Sequence, residues 1–289
     1  MPRCDTRDAA CVAFLQWALP QLRMRWPGFR KVRGQVCNRV ARRFKNLALP
    51  NLAAYRAYIE AHPSEWMLLD GLCRISISRF FRDRAVWEYL ASAVFPGLAE
   101  RAISQKEAEI RVWSVGCAGG EECYTVMILW RFLIEPRFPH IAFRVLGTDA
   151  DQDQLARARV SCYRGASLKE MPLAWRQEAF EERAGHFCLR QEFQAGVAFQ
   201  EQDIRRQLPA EAFQLILCRN LVFTYFEENL QCEIARAIHD RLVPGGVLVL
   251  GKQEMLPQAD GGFVELAPHL RIYCKRVVPD VSEVQDCSE

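Results

Sequence analysis

The sequence predicts a doubly wound α/β sheet preceded by an all-helical N-terminal domain. The first ninety residues carry helical periodicities without strand-like alternation, and the pattern changes after a polar stretch. From residue 110 onward, short apolar strands alternate with helices, which is typical of a parallel sheet covered on both faces. A glycine-rich turn directly follows the first of these strands. We therefore expect a basic helical domain at 1–90, an α/β domain at 91–278 and an acidic tail at 279–289.

Helical periodicity and start signals predict the elements of the first domain. Pro50-Asn51 and Pro63-Ser64 are typical helix starts. One predicted helix is strongly basic, with apolar residues on one side and arginines around them. The predicted helices are Ala9–Leu22, the basic helix Val32–Leu47, a helix from Asn51 to Ile59, Glu65–Leu72 and Phe80–Leu90.

Strand and helix patterns then alternate through the second domain. The predicted strands are Ile110–Val115, Phe143–Thr148, Val197–Gln200, Phe213–Cys218, Val247–Leu250 and Arg271–Lys275. The predicted helices between them are Glu121–Ile134, Asp153–Val160 and Glu227–Leu242, with a turn at Pro244-Gly245-Gly246. An insertion at about 180–200 interrupts the alternation, and we expect an antiparallel hairpin there between His186–Arg190 and Gln191–Phe199.

Composition excludes several classes of protein. The chain has 289 residues, of which 50% are hydrophobic and 25% charged, with a net charge of +3. These values exclude a disordered chain and allow a large core. No apolar run reaches membrane-spanning length, and Asp5 and Asp8 lie where a signal peptide requires a basic start. We expect a cytoplasmic protein with no membrane insertion.

The small net charge hides an asymmetry between the two predicted domains. Residues 1–90 carry +9 and residues 91–289 carry −6, and the stretch 20–59 has ten basic residues and no acidic one. Such a run is either a solvated helix face or a docking surface for an acidic partner, and both interpretations stay open. Nucleic acid is the weaker partner class, because no RNA-binding or DNA-reading pattern accompanies the charge.

The twelve cysteines are spread evenly and never form a CxxC pair. A zinc site requires close pairs of ligands, and extracellular disulfide scaffolds are usually much shorter chains. We therefore expect reduced, structural thiols and no metal site. The positions are Cys4, Cys11, Cys37, Cys73, Cys117, Cys123, Cys162, Cys188, Cys218, Cys232, Cys274 and Cys287.

Polar groups follow three predicted strands, where an open α/β sheet binds ligands. The turn Gly116–Glu121 matches neither phosphate-binding glycine pattern, and its acidic residues favour a nucleoside or sulfonium over a pyrophosphate. Asp149 ends the second strand, where a carboxylate can accept both hydroxyls of a ribose, although it could instead cap the next helix. Asp203 and Ile204 follow the third strand, at the expected adenine end.

These features resemble the chemotaxis receptor glutamate methyltransferases of the CheR type, which use S-adenosylmethionine. The resemblance covers residues 28–276 and implies a Rossmann-like methyltransferase sheet with a small β insertion behind a helical domain. Five stretches carry it: Asn38–Arg43, Ser76–Arg82, Trp113–Tyr124, Gly147–Asp149, and Cys218–Asn220 leading to Tyr225-Phe226.

The resemblance also implies roles for individual residues. S-adenosylmethionine would bind, and S-adenosylhomocysteine would be released, at Ser76, Ser78, Arg82, Gly116, Glu121, Asp149, Asp203, Ile204, Arg219 and Asn220. Arg82, Tyr225 and Arg219 are the expected catalytic residues, with no metal ion. An ion pair of Arg82 with Asp83 or Glu88 is the alternative reading of that arginine.

Two departures from the family pattern bear on the acceptor pocket. The run from Asn220 to Tyr225 is one residue longer than usual, so either Tyr225 or Thr224 lines the pocket. Cys123 replaces a usual proline and Cys117 lies in the glycine turn, and we interpret both as inert fillers.

The expected acceptor is a carboxylate of an acidic protein or peptide that docks on the basic helix at 32–47. A methyltransferase acting on a small molecule, a thiol or an amine is the first alternative. A regulatory protein that binds S-adenosylmethionine or S-adenosylhomocysteine without turnover is the second.

Overall fold

The fold was analysed in a computed structural model, which describes residues 6–257 and 262–277. The predicted acidic tail at 279–289 lies outside these residues. Five helices come first: α1 (Thr6–Gln21), α2 (Trp26–Phe29), α3 (Arg33–Asn46), α4 (Leu52–Ala61) and α5 (Glu65–Cys73). All but α2 correspond to predicted helices. No helix in the described ranges is both long and apolar enough to cross a bilayer.

The next helical stretch is longer than predicted. It begins with α6 (Arg84–Tyr89), passes through a π-helical turn at Leu90–Val94 and continues as α7 (Phe95–Ser104). Pro96 lies in the first turn of α7. Because proline donates no backbone hydrogen bond, it interrupts the helical ladder at this point without ending the helix.

A seven-stranded sheet forms the centre of the molecule, in the order β6-β2-β1-β7-β8-β10-β9. Its strands are β1 (Glu109–Val115), β2 (Ala142–Asp149), β6 (Val197–Glu201), β7 (Phe213–Cys218), β8 (Leu242–Leu250), β9 (Phe263–Ala267) and β10 (Ile272–Lys275). The helices between them are α8 (Glu121–Leu129, extended by a π turn at Trp130–Ile134), α9 (Gln152–Val160), α12 (Val222–Tyr225) and α13 (Glu228–Arg241).

The five neighbouring strands β6, β2, β1, β7 and β8 are parallel, as the alternation of strands and helices in the sequence predicts. The predicted doubly wound sheet is confirmed, and it ends in an antiparallel edge, because β10 is antiparallel to both β8 and β9. A connection too short for a crossover helix can join β9 and β10 only in this way. The predicted turn at 244–246 is an irregularity within β8, where the pairing with β7 shifts.

The insertion is a separate three-stranded sheet and not the hairpin that the sequence suggested. Its strands are β3 (Cys162–Tyr163), β5 (His186–Leu189) and β4 (Phe180–Arg183), with α10 (Leu173–Ala179) before β4. The hairpin partner of β5 is β4, which precedes it. The two strands are joined by a two-residue turn at Ala184-Gly185 in which both φ angles are positive. The expected second strand at 191–199 is instead α11 (Gln191–Gln194) followed by β6.

Side chains of the central strands alternate between two cores, one on each face of the sheet. Val112 and Leu215 pack with α6, α7 and α8, whereas the neighbouring Trp113 and Ile216 pack with helices α1 to α5 and α13. This alternation is what a sheet buried on both faces requires. The N-terminal helices therefore share a core with the sheet.

The expectation that all cysteines are reduced is wrong for two pairs. Cys11 and Cys37 join α1 to α3, and Cys162 and Cys188 join the paired strands β3 and β5. Six other cysteines in the described residues are free, among them Cys117 and Cys123. Spacing along the chain does not reveal such pairings, because each pair is 26 residues apart and is brought together by the fold.

Candidate active site

A cavity of about 560 Å³ opens at the carboxyl ends of β1, β2, β6 and β7. These strand ends, and the segments 73–79 and 219–226, form most of its wall. The predicted residues that line it are Ser76, Ser78, Arg82, Gly116, Asp149, Asp203, Ile204, Arg219, Asn220 and Tyr225. Glu121 is not a lining residue, although its buried side chain lies beside Gly119. The cavity therefore gathers the strand-end groups that the sequence placed far apart.

The carboxylate of Asp149 is held in place by backbone donors on two sides. Its Oδ2 accepts from the amide of Ala118 at 2.9 Å, and its Oδ1 accepts from the amide of Asp151 at 2.9 Å. Burial raises the pKa of Asp149, and these hydrogen bonds oppose the shift. Asp149 is not the helix cap, because the Asp151 side chain accepts the first amides of α9. The carboxylate is thus free to accept from a ligand.

The glycine turn brings backbone close to the cavity at Gly116. This residue has a φ of +67°, and a Cβ there would lie 2.6 Å from a methyl carbon of Leu221. Only glycine tolerates both the conformation and the close approach. The turn leads into α8, where burial raises the pKa of Glu121, partly opposed by hydrogen bonds from its own backbone and from Ser78.

Two buried oxygen atoms near the ends of β1 and β6 have no hydrogen-bond donor among the described residues. They are Oε2 of Glu121 and Oε1 of Gln202, and Gln202 lines the cavity. Buried polar atoms are rarely left without a partner, so they mark places where a ligand donates. S-adenosylmethionine carries suitable donors in its ammonium, ribose hydroxyl and adenine amino groups, and it therefore fits this wall. Gln202 was missed, although its place directly after β6 was a usable signal.

The guanidinium of Arg82 carries no ion pair among the described residues. It donates to the carbonyl of Ile77 at 3.0 Å and to Oδ1 of Asn220 at 3.4 Å. The carboxylates considered as alternative partners are occupied elsewhere, because Asp83 pairs with Arg219 and Glu88 pairs with Arg84. Arg82 therefore presents an unneutralised charge to the cavity, and that charge opposes the burial-raised pKa of Tyr225.

Arg219 differs from Arg82 because its charge is balanced inside the protein. Its side chain is 2% exposed and pairs with Glu122 at 2.9 Å and with Asp83 at 2.7 Å. It also donates to the carbonyl of Arg82 at 3.1 Å. Arg219 thus ties the loop that carries Arg82 to the start of α8.

The part of the cavity wall that follows β6 contains a second, partly buried ion network. Both oxygens of Asp203 accept from Arg205, which also pairs with Asp70 of α5 at 2.6 Å. The Asp203 pKa is lowered, since the hydrogen bonds and charge of Arg205 outweigh burial. Ile204 next to it is buried and supplies an apolar surface. Asp203 therefore shapes this wall through Arg205, while Ile204 offers the flat contact that an adenine requires.

Thr224 and Tyr225 both line the cavity, and they differ in what their hydroxyls do. The Thr224 hydroxyl donates to Oε1 of Glu254 at 2.7 Å. The Tyr225 ring packs on Phe29 of α2 with centroids 5.0 Å apart, and none of the described residues hydrogen-bonds its phenol. The phenol is therefore the hydroxyl left available to an acceptor.

The N-terminal domain supplies the wall opposite the sheet. Met24 and Phe226 form an antiparallel bridge, and the amide of Arg25 donates to the carbonyl of Tyr225 at 2.8 Å. A Cβ on Gly28 would lie 2.2 Å from the carbonyl oxygen of Thr224, so the two chains meet at backbone distance. We call these paired stretches, 23–28 and 223–227, the seam.

The basic helix at 32–47 is less available than its sequence suggested. Arg43 pairs with the buried Glu65, Arg33 pairs with Asp8, and Arg39 donates to the carbonyls of Leu72 and Arg74. On this helix Arg42 and Lys45 are exposed. These internal pairs join α3 to α1 and α5, so part of the charge run stabilises the domain.

Cys117 and Cys123 lie together at the glycine turn, both buried. A hydrogen bond with Cys123 and burial raise the pKa of the Cys117 thiol well above its ordinary value. Because the thiolate is the reactive form, we expect iodoacetamide at neutral pH to modify the partly exposed Cys232 well before either of them. Mass spectrometry of the alkylated protein would show this order, and early modification of Cys117 would contradict the filler interpretation.

Comparison with known proteins identifies the family. Residues 76–269 match the family "CheR methyltransferase, SAM binding domain". A chemotaxis protein methyltransferase of Listeria innocua is 31% identical over 204 residues, covering 69% of this chain and 74% of that protein. One of Escherichia coli (strain K12) is 30% identical over 239 residues, covering 80% of this chain and 79% of that protein.

Two further similarities differ in coverage. An uncharacterised 104.1 kDa protein of Rhodobacter capsulatus is 27% identical over 83% of this chain, which spans only 25% of that protein's length. The solved structure of CalS10, an amino pentose methyltransferase from Micromonospora echinaspora, is 20% identical, with a TM-score of 0.30 over 60% of this chain and 57% of that one. Since the family match covers more than half of the sequence and the strand ends that build the cavity, the chain belongs to the CheR methyltransferase family of S-adenosylmethionine-dependent enzymes.

Proposed function

We propose that the protein transfers a methyl group to a carboxylate of an acidic protein or peptide. The observation that carries this proposal is the unneutralised guanidinium of Arg82 in the cavity wall, beside the phenol of Tyr225. A planar guanidinium is well suited to hold a carboxylate. An uncharged acceptor would leave the positive charge of Arg82 without a counterion.

When bound, S-adenosylmethionine would supply an electrophilic methyl group on its sulfonium sulfur. A carboxylate oxygen would take this methyl group to form an ester, and the sulfur would keep the electron pair of the broken bond, leaving the neutral thioether S-adenosylhomocysteine. Asp149 would hold the ribose, and Oε1 of Gln202, which has no donor among the described residues, would accept from the cofactor. Arg82 would orient the acceptor carboxylate, with Asn220 steadying its guanidinium. An ionised carboxylate needs no general base, so alignment and exclusion of water supply most of the catalysis.

The mouth of the cavity supports a negatively charged partner. Arg30 and Lys31 line it on the side of the N-terminal domain, and both are exposed. Arg79 on the other side also lines the cavity but pairs with Glu170 at 3.2 Å. An acidic chain approaching this mouth would gain from the unpaired cations, which lie closer to the reaction than Arg42 and Lys45.

The double change Arg30→Glu and Lys31→Glu tests the docking part of the proposal. We expect the acceptor KM to rise about tenfold because rim charges steer a charged partner. The affinity for S-adenosylhomocysteine should stay unchanged. Lys106→Glu is the control, because this exposed lysine precedes the amino end of β1, whereas the cavity lies at the carboxyl ends of the strands.

The nature of the acceptor is tested with methyl-labelled S-adenosylmethionine and an extract of the source cells. Label should enter protein and be released by mild base, as expected of a carboxyl ester. Base-stable label would indicate a thiol or amine acceptor, and label in the small-molecule fraction would indicate a small substrate. Tight cofactor binding without any transfer would overturn the enzymatic proposal in favour of a regulatory protein.

A further inference from the structure

We propose that Glu254 is a positioning residue that fixes the acceptor side of the active site without touching either substrate. This inference rests on the methyl transfer proposed above. Glu254 follows β8, is 1% exposed and does not line the cavity. Its carboxylate nevertheless accepts hydrogen bonds from Asn220, Gly251 and Thr224, of which Asn220 and Thr224 line the cavity.

One oxygen of Glu254 fixes the loop after β7. Its Oε2 accepts from the amide of Asn220 and from the amide of Gly251, both at 2.7 Å. Asn220 has a φ of +58°, a left-handed conformation that asparagine tolerates better than most residues. The Asn220 side chain accepts in turn from Arg82. Glu254 thus determines where the partner of the Arg82 guanidinium lies.

A close approach at Gly251 makes this arrangement possible. A Cβ on Gly251 would lie 2.7 Å from Oε2 of Glu254 and 2.9 Å from the amide nitrogen of Asn220. A side chain at this position would therefore push the carboxylate off its donors. The end of β8 is built around the Glu254 carboxylate.

The other oxygen fixes α12, the short helix that carries Tyr225. Oε1 of Glu254 accepts from the Thr224 hydroxyl at 2.7 Å. From the opposite side, the guanidinium of Arg25 donates to the carbonyls of Phe223 and Thr224 at 2.6 and 3.3 Å. A helix of four residues has almost no stability of its own. The direction of the Tyr225 phenol therefore depends on these two flanking groups.

The Glu254 side chain has to accept at Oε2, because two backbone amides, which can only donate, meet there. An ionised carboxylate only accepts, whereas an amide presents two N–H donors of its own. Glutamine at this position would have the same shape, and its NH₂ could donate to the Thr224 hydroxyl, but it lacks the negative charge that strengthens the two hydrogen bonds from the backbone amides. The positive charge of Arg219 also favours the ionised form, in opposition to burial, which raises the pKa of Glu254.

The experiment compares Glu254→Gln, Thr224→Val and the exposed control Glu211→Gln. Calorimetric titration with S-adenosylhomocysteine counts the folded, binding-competent molecules in each preparation. We expect kcat per competent molecule to fall about 10- to 100-fold in Glu254→Gln, because a misplacement of about 1 Å can cost this much. Thr224→Val, which removes only the donor to Oε1, should lower kcat without changing the affinity for S-adenosylhomocysteine.

Hydrogen–deuterium exchange gives a readout that does not depend on turnover. Exchange in the segment 219–226 should accelerate in Glu254→Gln and stay unchanged in Glu211→Gln. Unchanged exchange, or a kcat per competent molecule equal to that of the wild type, would overturn the proposal. If the wild type transfers no methyl group at all, the proposed function fails, and the exchange result alone then decides whether Glu254 positions this segment.

Discussion

Replacement of Asp149 by alanine is expected to weaken binding of S-adenosylmethionine by at least about 100-fold. The carboxylate lies at the end of β2 with both oxygens oriented by backbone amides and with its remaining lone pairs facing the cavity. Two hydrogen bonds to a charged group contribute about 1.5–3 kcal/mol each, which corresponds to this loss. Isothermal titration of the variant with S-adenosylmethionine measures it.

Asp151→Ala is the matched control for this variant. Asp151 lies two residues away and caps α9, so its removal should cost about 1 kcal/mol of stability but little affinity. The raised pKa of Asp149 also predicts a pH effect, because protonation removes an acceptor. Affinity should therefore fall with decreasing pH earlier than it would for an exposed aspartate. Equal binding by Asp149→Ala and wild type would show that the ribose lies elsewhere.

Replacement of Arg82 by alanine is expected to lower kcat about 100-fold, with a smaller effect on cofactor affinity. Its guanidinium is the unpaired cation beside Tyr225 among the residues that the structure describes, and removal of one oriented donor at a reacting group typically costs this much. Arg82→Lys should recover only part of the rate because an ammonium cannot form the planar fork. Transfer of labelled methyl groups at saturating acceptor measures both variants.

Arg84→Ala controls for the loss of a nearby positive charge. Arg84 begins α6 and forms an exposed pair with Glu88, so its removal should leave kcat unchanged. A full rate in Arg82→Ala would contradict the role of this residue in orienting the acceptor. The carboxylate would then have to be bound by another cation of the cavity, such as Arg79.

The sequence predicts the parts of the fold that follow from local pattern. Asp149 could be placed at a strand end because β2 is bounded by a clear apolar run, and parallel strands bring such ends together. The start of α4 was equally readable, since the Asn51 side chain caps it. The antiparallel edge was not predicted, because β9 was not recognised as a strand, and without it the hairpin that it forms with β10 could not be inferred.

The partners of charged residues could not be predicted, because they are set by tertiary packing. Arg219 and Arg82 look alike in sequence, yet one is neutralised by Glu122 and Asp83 and the other is not. Arg43 belongs to a basic run but pairs with Glu65 on another helix. Glu254 belongs to none of the motifs identified in the sequence, and its role depends on three donors from two segments, 219–226 and the end of β8.

The seam limits how the protein can be recombined with its relatives. Along 23–28 and 223–227 the N-terminal segment and the stretch around α12 meet through main-chain atoms, and Gly28 leaves no room for a side chain against Thr224. Side chains also pair here, since Arg23 pairs with Glu227 and Phe29 packs on Tyr225, so a chimera keeps these pairs when the N-terminal helices and the stretch 223–227 come from the same parent. The N-terminal helices and α12 therefore have to be exchanged together, although about two hundred residues separate them in the chain.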